Sequence, residues 1–267
     1  MNVNTESTAK GVNIHPTAIV HPGAEIAEGV EIGPFSIIEE NVKIGAGTRV
    51  GARVTVEGYT NIGEGNQIFT GAVIGSLTQD KKYKGEVSYL NIGNNNIIRE
   101  YVTINPGTLE GTETVIGDDN LLMAYAHIAH DCIVGNHTVI ANNGTLAGHV
   151  IVEDRAIIGG FGGIHQFVRI GTLSIVGGCS KVVRDIPPFM MVDGHPARAF
   201  GVNTVGLDRN NISSEEKLNL KRAYKLIFKS GFPLKSSIKN IEETLDMTPT
   251  SKTLLEFLKK SERGVCK

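Results

Sequence analysis

Of the five histidines between Leu121 and His165, four, His127, His130, His149 and His165, stand out among small residues and asparagines rather than in a charged run. Imidazole titrates near neutral pH, so a histidine can take a proton from a sugar hydroxyl that then attacks an acyl carbonyl. That reaction also needs donors at the developing oxyanion, and a glycine N–H can approach closely enough to serve. Gly148, next to His149, is placed for the role. A lone histidine is more often a surface or interface residue. Several of them beside glycine- and asparagine-rich backbone point instead to a site.

What must position them is written into the same stretch. An aliphatic residue stands at every sixth position: Leu122, Ile128, Val134, Ile140, Leu146, Val152, Ile158 and Ile164. The period begins at Ile14, runs to Ile74, returns at Ile92, Ile98 and Ile104, resumes at Ile116 and continues to Val182. Neither a helix nor an isolated strand repeats every six residues. A short strand plus a tight turn does, with the aliphatic side chain inward and a small residue four positions on, as at Ala126, Cys132 and Ser174. Glycine directly after the aliphatic residue, as in Ile32-Gly33 and Val134-Gly135, is expected to supply turn angles closed to other residues.

Three such units make one triangular coil of about 18 residues, and coils stack about 4.8 Å apart. The expected fold class is mainly β, a parallel β-helix of hexapeptide repeats. One coil of about 18 residues should bring His130, His149 and His165 to one side of three successive coils, pointing outward, with His127 near the same corner. Histidines from adjacent coils could alternatively hold zinc, as in the carbonic anhydrases built on this kind of prism. Their spacing fits that ligand pattern poorly, and no metal is expected.

Two polar segments interrupt the period. Gly75–Leu90 carries Asp80, Lys81, Lys82 and Lys84, and Asn105–Val115 is rich in Gly, Thr and Pro. Both read as loops leaving the prism, and loops on rigid scaffolds carry function disproportionately. Beyond Val183 the repeat is broken by Arg184-Asp185-Ile186-Pro187-Pro188. Ser213-Ser214-Glu215-Glu216 is a capping-box pattern opening a helix that ends near Gly231, and stretches around 236–247 and 251–262 read as two more amphipathic helices. Residues 1–200 are assigned to the prism, with excursions at about 75–90 and 105–115, and 201–267 to a small α-helical C-terminal domain. That domain is marginal alone and must pack on the prism or on a neighbouring subunit.

A formal charge of -2 and a pI near 6.5 give no footprint for nucleic acid or an anionic membrane. No apolar run approaches the roughly 20 residues needed to span a bilayer, so no integral membrane segment is expected. MNVNTESTAKGV lacks a basic start followed by an apolar core, and the three cysteines lack zinc-like or disulfide-framework spacing. Both point to a reducing, cytoplasmic setting. With 32 glycines, no tryptophan and 6% aromatic residues, the core has to be built from small branched aliphatics.

Nearly the whole chain resembles the acyl-carrier-protein-dependent UDP-N-acetylglucosamine O-acyltransferases, the enzymes that open lipid A synthesis. The resemblance rests on HIAHDC (127–132), NLLM (120–123), ANNGTLAGHV (141–150), IHQF (164–167) and VGGCS (176–180), with the QDKKY loop, GVN at 201–203 and AYKLIFKSG at 223–231. It implies a left-handed coil, a homotrimer with parallel prism axes, and transfer of a 3-hydroxyacyl chain from acyl carrier protein to the 3-hydroxyl of UDP-N-acetylglucosamine. No cofactor is implied beyond the phosphopantetheine carried on the acyl carrier protein.

The same resemblance implies His130 as the general base, Asp131 holding or polarising it, and the Gly148 N–H at the oxyanion. Asp80, Lys82, His127, His149, His165 and Gln166 would hold the sugar and phosphates, Asn203 and Arg209 the nucleotide end, with the site between two subunits. Gly178 matches the position where side-chain size limits acyl length, and glycine there implies a longer chain. Three departures bear on the acceptor: Val205 where a glutamate is usual, Asn210 in place of a second basic residue, and Asn105-Pro106 in place of a His-Arg pair. Some relatives acylate a 3-amino sugar instead. The runner-up is an acyltransferase on another nucleotide sugar, including the pathway's later N-acyltransferase. That relative carries a uridine-binding domain before its prism, for which hexads starting at Ile14 leave no room. A scaffold that had lost its chemistry would show a broken HIAHDC or AGHV, and both are intact.

Overall fold

The computed structural model describes residues 10–267 and folds the repeat into a three-sided prism. Two-residue strands, each ending on the aliphatic position, stack into three parallel sheets. We call these sides A, B and C, represented by Leu121–Leu122, His127–Ile128 and Ile133–Val134. Each strand pairs with the strand one coil above, as His127 does with Thr145 and Ile128 with Leu146. The inward aliphatics form a continuous column in which Ile98, Leu122, Ile128, Ile140, Leu146 and Ile158 are fully buried. Burying one such side chain contributes about 1.5–3 kcal/mol, so a long column of them replaces the missing aromatics.

The glycine expectation is corrected by the backbone. Left-handed φ occurs at the third residue after the aliphatic one, where Asp131 (+58°), His149 (+61°) and Phe167 (+64°) stand. Gly45, by contrast, directly follows Ile44, and a Cβ there would meet the Gly63 carbonyl carbon of the next coil at 2.5 Å. Glycine at that position is selected by close approach of the stacked backbone, and the φ demand is met mostly by non-glycine residues. Each of those accepts a local cost of about 1–2 kcal/mol, which the stacking must offset.

Both interruptions leave from the corner between sides B and C, after Ile74 and after Ile104. The chain is back on side C by Tyr89 and by Glu113, in the four-residue strands Tyr89–Ile92 and Glu113–Ile116. Pairing passes from Val73 to Thr103 across the first and from Thr103 to His127 across the second.

A hairpin of Met190–Gly194 and Ala197–Val202 extends side A, and four helices follow: α1 (Thr204–Arg209), α2 (Ser214–Phe228), α3 (Leu234–Thr244) and α4 (Pro249–Lys260). Ser213 caps α2 by accepting from the Glu216 N–H at 3.2 Å. The short α1 has no counterpart in the sequence reading, and α2 ends at Phe228. Leu220, Ile227, Ile241 and Leu254 bury against Leu173, Phe189 and Met190 at the upper end of the prism. Ser261 donates to Asp185 at 2.7 Å, tying the segment after α4 to the last coil. Among the described residues, no helix is long and apolar enough to cross a membrane.

Candidate active site

The B–C corner carries two outward columns one residue apart. The second residue after each aliphatic is His130, Gly148 or Gln166, and the third, in left-handed conformation, is Asp131, His149 or Phe167. His130 Nδ1 lies 2.8 Å from Asp131 Oδ2. A carboxylate can only accept, so Nδ1 carries a proton in this bond, which turns Nε2 away from Asp131. His149 stands edge-on to His130, with centroids 5.1 Å apart, and lies flat against Phe167 at 4.5 Å. That stack adds about 0.5–1.5 kcal/mol of orientation to the His149 ring.

The three histidines expected on one side of successive coils do not share a single column. His130 and His149 adjoin, but His165 sits in the column of Ala129 and Ala147. Its Nδ1 faces the Gln166 carbonyl at 3.2 Å and the Arg263 guanidinium at 3.4 Å. An offset of one residue moves a side chain to the next column. His127 faces outward from side B, beside the corner, and its Nδ1 is 2.7 Å from the Thr103 hydroxyl.

Gly148 sits directly above the His130 ring. A Cβ there would stand 2.4 Å from Cε1 and 2.5 Å from Nε2, so only glycine admits the imidazole in this position. Its N–H has no acceptor among the described residues. The repeat leaves this donor unused by its own ladder, which is why proline is tolerated at the equivalent Pro16, Pro22 and Pro34. At Gly148 the residue that carries the free donor packs against the imidazole.

The two excursions bind each other over this corner. Asn105, buried, donates to the Ser76 carbonyl at 2.9 Å, and the Thr78 and Thr108 hydroxyls meet at 3.2 Å. Thr78 Oγ1 also accepts from the Asp80 N–H, while Asp80 Oδ1 accepts from the Lys82 N–H at 2.9 Å. This turn aims Asp80 Oδ2 at His130 Nε2, 3.7 Å away. The Lys82 ammonium is exposed and unpaired among the described residues. Sequence reasoning missed the inter-loop bonds and the Phe167 stack; only the latter could have been found, by counting one coil on from His149.

Burial, reinforced by the nearby His130, holds the His127 imidazole below its ordinary pKa. His149 is lowered too: burial outweighs the mixed pull of Asp131, His130, Asp80 and Lys82. For Asp131, burial acts upward, but hydrogen bonding from His130 and Thr112 and the histidine charges prevail, leaving it below the usual carboxylate value. The site thus holds an ionised carboxylate at Asp131 and two imidazoles, His127 and His149, that resist protonation. His130, Asp131 and His149 also present donor atoms within 4.8 Å of one another. Two imidazoles and a carboxylate are a set zinc can take, but an ion would have to break the His130–Asp131 hydrogen bond.

The remaining expected site residues lie elsewhere on the chain. Asn203 and Arg209 line a cavity at the C–A corner. Asn203 is buried, donating to the Leu173 carbonyl at 2.8 Å and capping α1 at Gly206 N at 2.9 Å. Gly178 is on the A–B corner, where a Cβ would approach the Gly160 carbonyl at 3.3 Å. One chain therefore gathers Asp80, Lys82, His127, His130, Asp131, Gly148, His149, His165 and Gln166 at one corner and leaves Asn203, Arg209 and Gly178 on the other two.

Residues 23–58 and 113–148 match the family described as bacterial transferase hexapeptide (six repeats). Residues 185–266 match UDP N-acetylglucosamine O-acyltransferase, domain 2. The acyl-carrier-protein–UDP-N-acetylglucosamine O-acyltransferase of Thiobacillus denitrificans is 48% identical over 253 residues, covering 94% of this chain and 98% of that protein. The Synechocystis protein of the same name is 52% identical over 175 residues, a match spanning 66% of this chain and 63% of that protein. The solved structure of LpxA from Acinetobacter baumannii superposes with a TM-score of 0.92 at 46% identity, covering 95% of this chain and 99% of that one. LpxA from Bacteroides fragilis gives 0.92 at 40% identity with the same coverage, 95% and 99%. Fold and corner together define an acyltransferase built on a left-handed parallel β-helix. Within that class, the chain belongs to the acyl-carrier-protein-dependent UDP-N-acetylglucosamine O-acyltransferases.

Proposed function

We propose that the chain transfers a 3-hydroxyacyl group from acyl carrier protein to the 3-hydroxyl of UDP-N-acetylglucosamine, the opening step of lipid A synthesis, with His130 as general base. The observation that carries this reading is the His130–Asp131 pair at 2.8 Å beneath the free Gly148 N–H. Nε2 takes the hydroxyl proton as the sugar oxygen attacks the thioester carbonyl carbon. Charge builds on the carbonyl oxygen, where the Gly148 N–H donates. Collapse of the tetrahedral intermediate breaks the C–S bond, and the proton on His130 passes to the leaving thiolate. Asp131 holds the ring and offsets its transient charge, while Asp80, Lys82, His127, His149, His165 and Gln166 hold sugar and phosphates.

The thioester supplies the activated acyl group, so no further cofactor enters this scheme. Because Asn203 and Arg209 lie away from His130 on the same chain, the reading takes the nucleotide end from a neighbouring copy in a homotrimer. A cytoplasmic setting is supported by the three free cysteines, Cys132, Cys179 and Cys266.

The test is turnover of UDP-N-acetylglucosamine with 3-hydroxyacyl carrier proteins of graded length, the product examined for its linkage. An alkali-labile ester is expected. Activity confined to the 3-amino sugar, giving an amide, would replace the acceptor assigned here. Gly178 supports a preference for a fourteen-carbon over a ten-carbon donor, and the reverse order would remove that assignment.

A further inference from the structure

The cavity of about 350 Å³ at the C–A corner is lined from two directions. The prism contributes His137, Arg155 and Leu173; the segment around α1 contributes Val205, Arg209 and Asn210. Leu173 and Val205 give it apolar walls and the arginines a cationic rim. Asn210 is not free to help, because its side-chain amide donates to the Gly206 carbonyl at 2.8 Å. Arg155 and Arg209 are both exposed, and neither side chain has an ion pair or hydrogen bond among the described residues. Two unpaired guanidinium groups on one rim repel unless an anion comes between them.

The corner column fixes where the prism's cation stands. Its left-handed positions run Gly29, Gly47, Gly65, Asn95 and Asp119, all residue types that tolerate this conformation. Where the cavity begins they give way to His137 and Arg155, with φ of +55° and +58°. Arg53 takes the same conformation at +54° on another corner, so the position sets where the Arg155 side chain leaves the prism without itself selecting arginine.

We infer that Arg155 is a nucleotide-binding residue, supplying from the prism the second cation for the diphosphate that Asn210 does not supply from α1. This rests on the cavity being the nucleotide end of the proposed site. The cation has moved to a rigid corner, so diphosphate recognition in this chain joins prism and helical segment.

Titration calorimetry with UDP and with uridine tests it on the full-length protein. Arg155→Asn keeps a left-handed-tolerant residue and should preserve the fold. It is expected to weaken UDP binding about tenfold while leaving uridine binding in place. Arg155→Asn combined with Asn210→Arg should recover most of the loss. In turnover, the Arg155→Asn defect should fall on KM for the sugar nucleotide more than on kcat. If Arg209→Asn weakens UDP and Arg155→Asn does not, the inference fails and the nucleotide reading stands. If neither variant alters UDP binding, the nucleotide reading of the cavity fails with it. Equal losses for UDP and uridine would overturn the assignment to the diphosphate.

Discussion

The B–C and C–A corners are built from the same hexad and differ in what fills them. At C–A, the backbone donor two residues after the aliphatic one is capped by a side chain from the coil above. Asn94 accepts from the Glu64 N–H at 2.8 Å, Asp118 from Asn94 at 2.6 Å, Asn136 from Asp118 at 2.8 Å and Asp154 from Asn136 at 2.8 Å. Behind this run a second, buried one joins Asn66, Asn96, Asn120 and Thr138. At B–C the equivalent donor on Gly148 is left open, and an imidazole packs against it. The scaffold already contains the unsatisfied donors that acyl transfer needs. One corner closes four of them with asparagine and aspartate; the other leaves that of Gly148 open and sets an imidazole beside the glycine.

The largest expected effect is at the open corner. His130→Ala should lower turnover by about 10³–10⁵-fold, since general-base and positioning losses combine. Its unfolding midpoint should stay near wild type, because the ring adds little to the aliphatic column. Turnover within tenfold of wild type would remove the imidazole as the base.

Gly148→Ala comes next. The new methyl must displace the His130 ring, and a misplacement of that size costs about 10²-fold in kcat. An unaltered kcat would mean that the close contact between glycine and ring has no part in the chemistry.

At the closed corner the order should reverse. Asn96→Ala strands the Asn120 N–H, an unsatisfied buried donor costing about 1–3 kcal/mol, with kcat per folded molecule retained. Denaturant unfolding alongside turnover checks both halves. Lost activity at full stability would erase the distinction between the corners.

The smallest effect is a pH dependence. His127 is held below its ordinary pKa in the fold, so the unfolded chain binds more protons as pH falls through about 6.5. The stability it contributes is complete above that pH and declines on acidification towards the folded value. His127→Gln should flatten the acid limb of an unfolding-midpoint profile; an unchanged limb would place the titration elsewhere.

Periodicity made the prism legible because every sixth residue reports the same physical event, burial of one aliphatic side chain. It also located the outward histidines. It did not resolve which outward column each occupies: His149 stacks over Asp131, His130 under Gly148, and His165 turns to Arg263. Those distinctions depend on single-residue register within a coil. The glycine pattern was read correctly as a turn feature and given the wrong cause, since Gly45 answers to the backbone above it. The role proposed for Gly148 was readable from a glycine beside His149, whereas that of Asp131 came through resemblance; the 2.8 Å bond to His130 and the ring packed on Gly148 are the geometry that supports them. Nothing periodic marks the bonds from Asn105 to Ser76 or Thr78 to Thr108, because each joins two irregular segments. Such pairings are set by where loops exit the scaffold.

The exits have one more property. An ordinary coil advances the register by 18 residues, as from His127 to Thr145, whereas the coils bearing the excursions advance by 30, from Val73 to Thr103, and by 24, from Thr103 to His127. Each surplus is a whole number of hexads. Removing either would leave every later strand in phase, with the inward side chains still inward. An excursion of any other length would turn the inward side chains of every later strand outward or shift them to another side of the prism. The phase of the prism and the length of its excursions are therefore independent of each other, in steps of six.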